Sequence, residues 1–312
     1  MPSTPERHAT PEALLARLEW RVVRRLDGQL MGDYRTAHRG TGTDLAGLRE
    51  YHEGDDARHI DWNVTARLNE PQLRLFTEDR ELTVWLVLDR SASMTVGPPG
   101  RGKDDVLAEL ALVLARLFGR GGNRVAALLY DAGTTRTIRP GTGRTHALRI
   151  AAELARGTTT QAATATGGRA AAPTDLAAML DAAGKLARRR ALIVVISDFI
   201  GGGNWERSLL RLAPRHEVVA LRVLDTADDE LPDVGLVVVE DAETGEQLVI
   251  DTSDPLLRAR LRAGVAERDA RLAAGMRRAG VPMHRIGTGD DLARALIKVV
   301  ASTTRPASRG PA

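Results

Sequence analysis

Residues 82–94 read Leu-Thr-Val-Trp-Leu-Val-Leu-Asp-Arg-Ser-Ala-Ser-Met. The first seven are apolar except for Thr83 and lack the in-out alternation of a strand with one wet face, so they suit a strand buried on both faces of a parallel sheet. That strand stops at Asp89. Downstream the spacing predicts a helix from about Asp104 to Phe118, a strand at Arg124–Tyr130, a short strand at Thr135–Ile138 and a helix at Arg144–Ala155. A helix at Thr174–Arg188, a strand at Ala191–Ile196, a helix at Trp205–Leu212 and a strand at Glu217–Leu224 follow. Strands and helices alternating in this way imply an α/β fold, with a doubly wound, mostly parallel, Rossmann-like sheet. Leu236–Val239 and Gln247–Ile250, on either side of Glu243-Thr244-Gly245, predict an inserted β-hairpin. A helix near Leu256–Ala279, a strand at Met283–Ile286 and a helix from Asp290 to about Val300 complete the domain.

Upstream of residue 82 the text is different. Thr10–Leu26 has apolar residues every three or four positions behind a threonine cap and a proline, the pattern of an amphipathic helix. From Gly28 to about Glu81 the chain is charge-dense and poor in apolar runs, ending in a short strand candidate at Leu73–Phe76. The expected organisation is therefore an N-terminal helix and small charged module over 1–81, the α/β domain over 82–301 and a flexible tail over 302–312. Gly157–Ala172 is of low complexity and reads as a flexible loop.

Composition narrows the function. Of 312 residues, 44 are basic and 41 acidic, a net charge of +3, which gives no field for a dedicated nucleic-acid binder. The absence of cysteine excludes thiol nucleophiles, Cys-ligated zinc, iron–sulfur clusters and disulfide scaffolds. No apolar run approaches the roughly 20 residues of a membrane helix, and the N-terminus lacks the apolar core of a signal peptide. A soluble, cytoplasmic protein without membrane insertion is expected.

Ligands in open parallel sheets sit beyond the carboxyl ends of the strands. Two apolar strands here end in aspartate, at Asp89 and at Ser197-Asp198. In Asp89-Arg90-Ser91-Ala92-Ser93, an extended loop would turn the carboxylate and both hydroxyls the same way. Thr174, at the start of a predicted helix, adds a third hydroxyl. Two carboxylates and three hydroxyls form an oxygen-only donor set, suited to a hard cation such as Mg2+, with Mn2+ as an alternative. Because hydroxyls are neutral, such an ion would keep positive charge for an outside carboxylate. Helix capping by Asp89 and Ser93 is the plainer account of the same residues.

Asp89-x-Ser91-x-Ser93, Thr174 and Asp198 resemble the metal-ion-dependent adhesion site of von Willebrand factor A domains, although the family usually precedes its threonine with glycines and this chain has Ala172-Pro173. A second resemblance lies upstream, in Gly40-x-Gly42, Leu48-Arg49-Glu50-Tyr51, Gly54-Asp55-Asp56-Ala57-Arg58-His59-Ile60-Asp61-Trp62 and Ala66-Arg67. These are similar to the defining stretch of domain-of-unknown-function family 58, bacterial von Willebrand A-like proteins associated with MoxR AAA+ ATPases, and the resemblance covers about residues 28–300, including the hairpin region Asp241–Gly245. The resemblance implies a non-enzymatic, Mg2+-dependent binding module. It would work with a MoxR-type ATPase in assembly or activation of a client that donates an Asp or Glu carboxylate. Many relatives carry membrane helices ahead of this segment; none is read here.

Gly97-Pro98-Pro99-Gly100-Arg101-Gly102-Lys103-Asp104 approaches the phosphate-binding pattern, which would make the protein a nucleotide hydrolase, but Asp104 replaces the magnesium-holding hydroxyl and the glycines begin eight residues after Asp89. A surface loop before a helix accounts better for Gly97–Lys103. A D-x-D phosphatase lacks its second acid because Ser91 stands there, and no G-x-S-x-G elbow occurs. A metal-free scaffold acting through the charged module is the remaining alternative. In that module Arg49, Asp55, Asp56, Arg58, Asp61, Arg67, Arg74 and Glu78 are expected to neutralise one another and brace it against the sheet. Trp62 is expected in a core, and His52 and His59 lack a zinc spacing.

Overall fold

The computed structural model describes residues 44–303 except 53–54, 78–81, 96, 98–100, 121, 132–133, 166–173, 226–227, 229–231 and 241–246. The helix expected at Thr10–Leu26, the Gly40-x-Gly42 motif, the Glu243-Thr244-Gly245 turn and most of the expected tail lie outside the described residues. The described residues divide into two compact units, with the boundary between residues 81 and 82.

In the smaller unit, β1 (Asp44–Glu50) pairs antiparallel with β2 (Gln72–Thr77), with a bulge between Leu45 and Gly47. A single 3-10 turn, Ala57–His59, and a two-turn helix α1 (Trp62–Leu68) connect them. Aspartates start both: Asp56 accepts from the Arg58 amide at 3.0 Å, and Asp61 accepts from the amides of Asn63 and Val64 at 3.0 and 3.2 Å. Asn69, at φ 56°, closes α1 in the left-handed region that Asn tolerates. The charge network is local, since Arg49 grips Asp55 bidentately at 2.7 and 2.6 Å and Arg74 Nε donates to Asp61 at 2.9 Å. Trp62 is 68% exposed, which corrects its expected place in a core. As the first residue of a helix only two turns long, it has little apolar surface of its own element to pack on.

The larger unit holds a six-stranded sheet in the order β10-β7-β6-β3-β4-β5. Its strands are β3 (Thr83–Asp89), β4 (Arg124–Asp131), β5 (Thr134–Gly141), β6 (Leu192–Ser197), β7 (Glu217–Leu224) and β10 (Met283–Gly287). All neighbours run parallel except β4 and β5. Helices α2 (Lys103–Arg120), α3 (Gly143–Ala165), α4 (Leu176–Leu186), α5 (Trp205–Leu212), α6 (Pro255–Ala279) and α7 (Leu292–Thr303) complete this α/β architecture. The separate ribbon β8 (Leu236–Glu240) and β9 (Gln247–Asp251) is the expected hairpin. The core follows from the strand text: Val84, Leu86, Val87 and Leu88 of β3 and Ile193, Val195 and Ile196 of β6 are at most 1% exposed.

Several boundaries differ from expectation. Helix α3 continues through 157–165, where a flexible loop was expected. Alanine and glutamine there are helix formers, and low complexity by itself does not stop a helix already nucleated upstream. The helix expected from Thr174 begins at Leu176, because the Asp175 side chain takes the Ala178 amide at 3.0 Å and so becomes its cap.

Candidate functional site

Chain order explains where a site forms. From β3 the chain crosses to β4 on one side, whereas β6, entered later, lies on the other side of β3 and leads away to β7 and β10. The reversal makes a topological switch point at the carboxyl ends of β3 and β6, the general position for ligands in open α/β sheets. Asp89 is the last residue of β3, and Asp198 follows the last residue of β6.

Both carboxylates are fully buried, and Ser91, Ser93 and Thr174 are 2%, 7% and 1% exposed. The loop after β3 turns sharply: the Ser91 amide donates to Asp89 Oδ1 at 3.0 Å, and Ser91 and Ser93 Oγ lie 3.0 Å apart. The strands are tied directly, since Ser197 Oγ donates to Asp89 Oδ2 at 2.6 Å and accepts from the Phe199 amide at 2.8 Å. The Ile200 amide donates to Asp198 Oδ1 at 2.9 Å. This last loop is strained, with Phe199 at φ 56°, a region costly for a bulky residue. Thr174 joins from a third loop, where its carbonyl accepts from the Gly202 amide at 3.1 Å beside a one-residue bridge between Asp175 and Gly202. Packing is close enough that a Cβ on Gly201 would come within 2.6 Å of the Thr174 carbonyl oxygen.

Burial, followed by the negative charge of Asp198, pushes the Asp89 carboxyl up to about 6, against the lowering effect of hydrogen bonds from Ser197 and Ser91. Two desolvated acids and two touching hydroxyls make a set that a hard divalent cation would suit. Among the described residues no group of three or more His, Cys, Asp or Glu is placed to hold a metal, so a cation here must rely on the hydroxyls.

Sequence reasoning missed the third charge at the site. Lys103 is 1% exposed, and its Nζ donates to Asp198 Oδ2 at 3.0 Å and to the two Asp228 oxygens at 3.0 and 3.1 Å. It does not lie in a surface loop, as expected; it opens α2. Helical spacing carried the signal, because Lys103 shares a buried stripe with Val106, Leu107, Leu110, Leu114 and Leu117. Its pairing also weakens the nucleotide reading, since the ammonium is committed to two acids. Gly97 and Gly102 approach so closely that a Cβ on Gly97 would meet Gly102 Cα at 2.8 Å. Asp104 faces Arg90 at 3.2 Å, with Arg90 only 2% exposed. Beyond Lys103, Arg222 Nε donates to the Asp198 carbonyl at 3.2 Å while its guanidinium pairs with Asp269 at 2.7 Å.

Comparison with solved structures finds BatB from Bacteroides thetaiotaomicron, 15% identical over 72% of this chain and 98% of its own, with a TM-score of 0.44. The SpRpn10 VWA domain is 10% identical over 75% of this chain and all of its own, with a TM-score of 0.37. Uncharacterized proteins of Mycobacterium tuberculosis and Mycobacterium bovis are each 40% identical over 299 residues, covering 96% of this chain and 91% of theirs. The family model described as protein of unknown function DUF58 matches residues 47–271, and the chain belongs to that family.

Proposed function

We propose that this chain is a non-catalytic, Mg2+-dependent protein-binding module that works with a MoxR-type AAA+ ATPase in assembling or activating a client complex. The observation that carries this reading is that Asp89, with Ser91 and Ser93 beside it, ends β3 close enough to Asp198 at the end of β6 to feel its charge, so that buried oxygen donors gather at the reversal point of the sheet. Ser91, Ser93 and Thr174 would hold the ion as neutral donors, with Asp89 and Asp198 engaging it directly or through water. Mn2+ would serve in its place. A metal held this way supplies electrostatic attraction for an anionic group. Asp89 is restrained by Ser197 and the Ser91 amide, so its carboxylate is fixed in position before any ion arrives. The partner group would be an Asp or Glu carboxylate of the client.

Titration calorimetry with Mn2+ and Mg2+, followed by pull-down of the ATPase and client with and without EDTA, tests the reading. Asp89→Ala should abolish metal binding and metal-dependent capture while leaving the circular dichroism spectrum unchanged. Capture that survives both Asp89→Ala and EDTA would overturn it.

A further inference from the structure

One of the two carboxylates at this site already has a cation. Lys103 Nζ lies 3.0 Å from Asp198 Oδ2, and the ammonium is enclosed, with Asp228 as its second acid. The chain's other basic residues are nearly all arginines, whose planar fork spreads charge over several donors. An ammonium is a compact point charge with three donors, and here at least one is aimed at each acid. Arg222, the other buried base beside Asp198, is matched by Asp269 and touches only the Asp198 backbone carbonyl. Lys103 therefore sets the charge seen at the Asp198 carboxylate. Asp89, Asp198, Asp228 and Lys103 sum to two negative charges, and without the lysine they would sum to three.

We infer that Lys103 is an internal counter-ion that competes with a divalent cation for Asp198 and so holds the site's metal affinity down. This rests on the metal-site reading above and adds how that site is regulated. An entering ion would share the Asp198 carboxylate with the ammonium, and would sit beside its positive charge in a medium of low dielectric. The balance improves when an outside carboxylate completes the ion's coordination, because that acid offsets the positive charge. Metal and acidic partner would then bind together more readily than either binds alone, as linkage requires of two ligands that favour each other. Asp228 modulates the device from the far side by drawing the ammonium away from Asp198. Asp228 is itself fixed by the Asp225 amide at 3.0 Å, and Asp225 by Thr288 at 2.6 Å.

The test is Mn2+ affinity by calorimetry, supported by the electron paramagnetic resonance signal of free Mn2+, on the full chain. Lys103→Met should bind Mn2+ at least tenfold more tightly than the unaltered protein. Asp228→Asn, which leaves the ammonium to Asp198 alone, should bind at least threefold more weakly. A purely structural lysine would lower the melting temperature on substitution and leave both affinities unchanged, which would overturn the inference. If Lys103→Met fails to fold, Asp228→Asn decides: unchanged or tighter binding counts against the proposal. Asp89→Ala, alone and combined with Lys103→Met, separates the two levels. Binding lost in both Asp89→Ala proteins but equal in Lys103→Met and the unaltered chain refutes only the role of Lys103. Binding that persists without Asp89, or that is absent from every protein, removes the metal site and the inference with it.

Discussion

At the scale of single residues, Asp55 and Asp61 show how the small unit is held. Arg49, gripping Asp55 through two short hydrogen bonds, brings its carboxyl from 3.8 down to about 2, with the His52 amide adding to the effect. Arg74 chiefly, and the α1 amides after it, lower Asp61 in the same direction. A carboxyl whose folded pKa lies below its unfolded value stabilises the fold above the unfolded pKa and loses that contribution as pH falls through the folded one. The small unit should therefore keep this contribution down to about pH 4 and lose it between about 4 and 2. Trp62 fluorescence and the carbon chemical shift of the Asp55 carboxyl would follow the loss. Asp55→Asn should flatten the profile in that window, and a profile unchanged by the substitution would contradict the assignment. These acids were visible in the sequence as a charge-dense stretch. Their partners were not, because opposite charges six or thirteen residues apart pair only after the chain has turned.

At the scale of elements, the loop 198–203 meets the turn before α4 with almost no space between them. Gly201→Ala would drive a methyl group against the Thr174 carbonyl, where Gly202 also donates its amide. The substitution should cost about 1–3 kcal/mol, as overpacking commonly does, and should weaken Mn2+ binding by displacing Thr174. Gly202→Ala meets nothing within 4 Å and provides the control, with stability changed by no more than about 0.5 kcal/mol. Urea denaturation and calorimetry on the pair would separate crowding at Thr174 from a general loss of glycine. Among the elements themselves, buried strands such as β3 and β6 were readable because an apolar run of six or seven residues is too short to cross a membrane as a helix and suits a strand covered on both faces. Strand β1 and helix α1 escaped notice. One carries no alternation to mark it, and the other is too short for a helical period to emerge from seven residues.

For the whole molecule, the strand-end positions of Asp89 and Asp198 were readable one at a time, because the carboxyl ends of parallel strands in an open sheet lie along one edge. What could not be read was the charge balance there, since Lys103 reaches Asp198 across 95 residues and Asp228 across 125. The division of the chain between residues 81 and 82 turns that site into a thermodynamic label for one unit. All five candidate oxygen donors belong to the larger unit, so an ion bound there should stabilise that unit. A ligand present at one hundred times its dissociation constant adds about 2.7 kcal/mol to the form that binds it. For a unit of this size that corresponds to a rise of roughly 5–10 °C in melting temperature. Scanning calorimetry should show that rise with Mn2+ and its reversal by EDTA, and hydrogen exchange should place the added protection in β3, β6 and the 198–203 loop. The Asp89→Ala protein should show neither. A shift of equal size in that variant would mean that the metal acts on the chain nonspecifically and not through the carboxyl ends of β3 and β6.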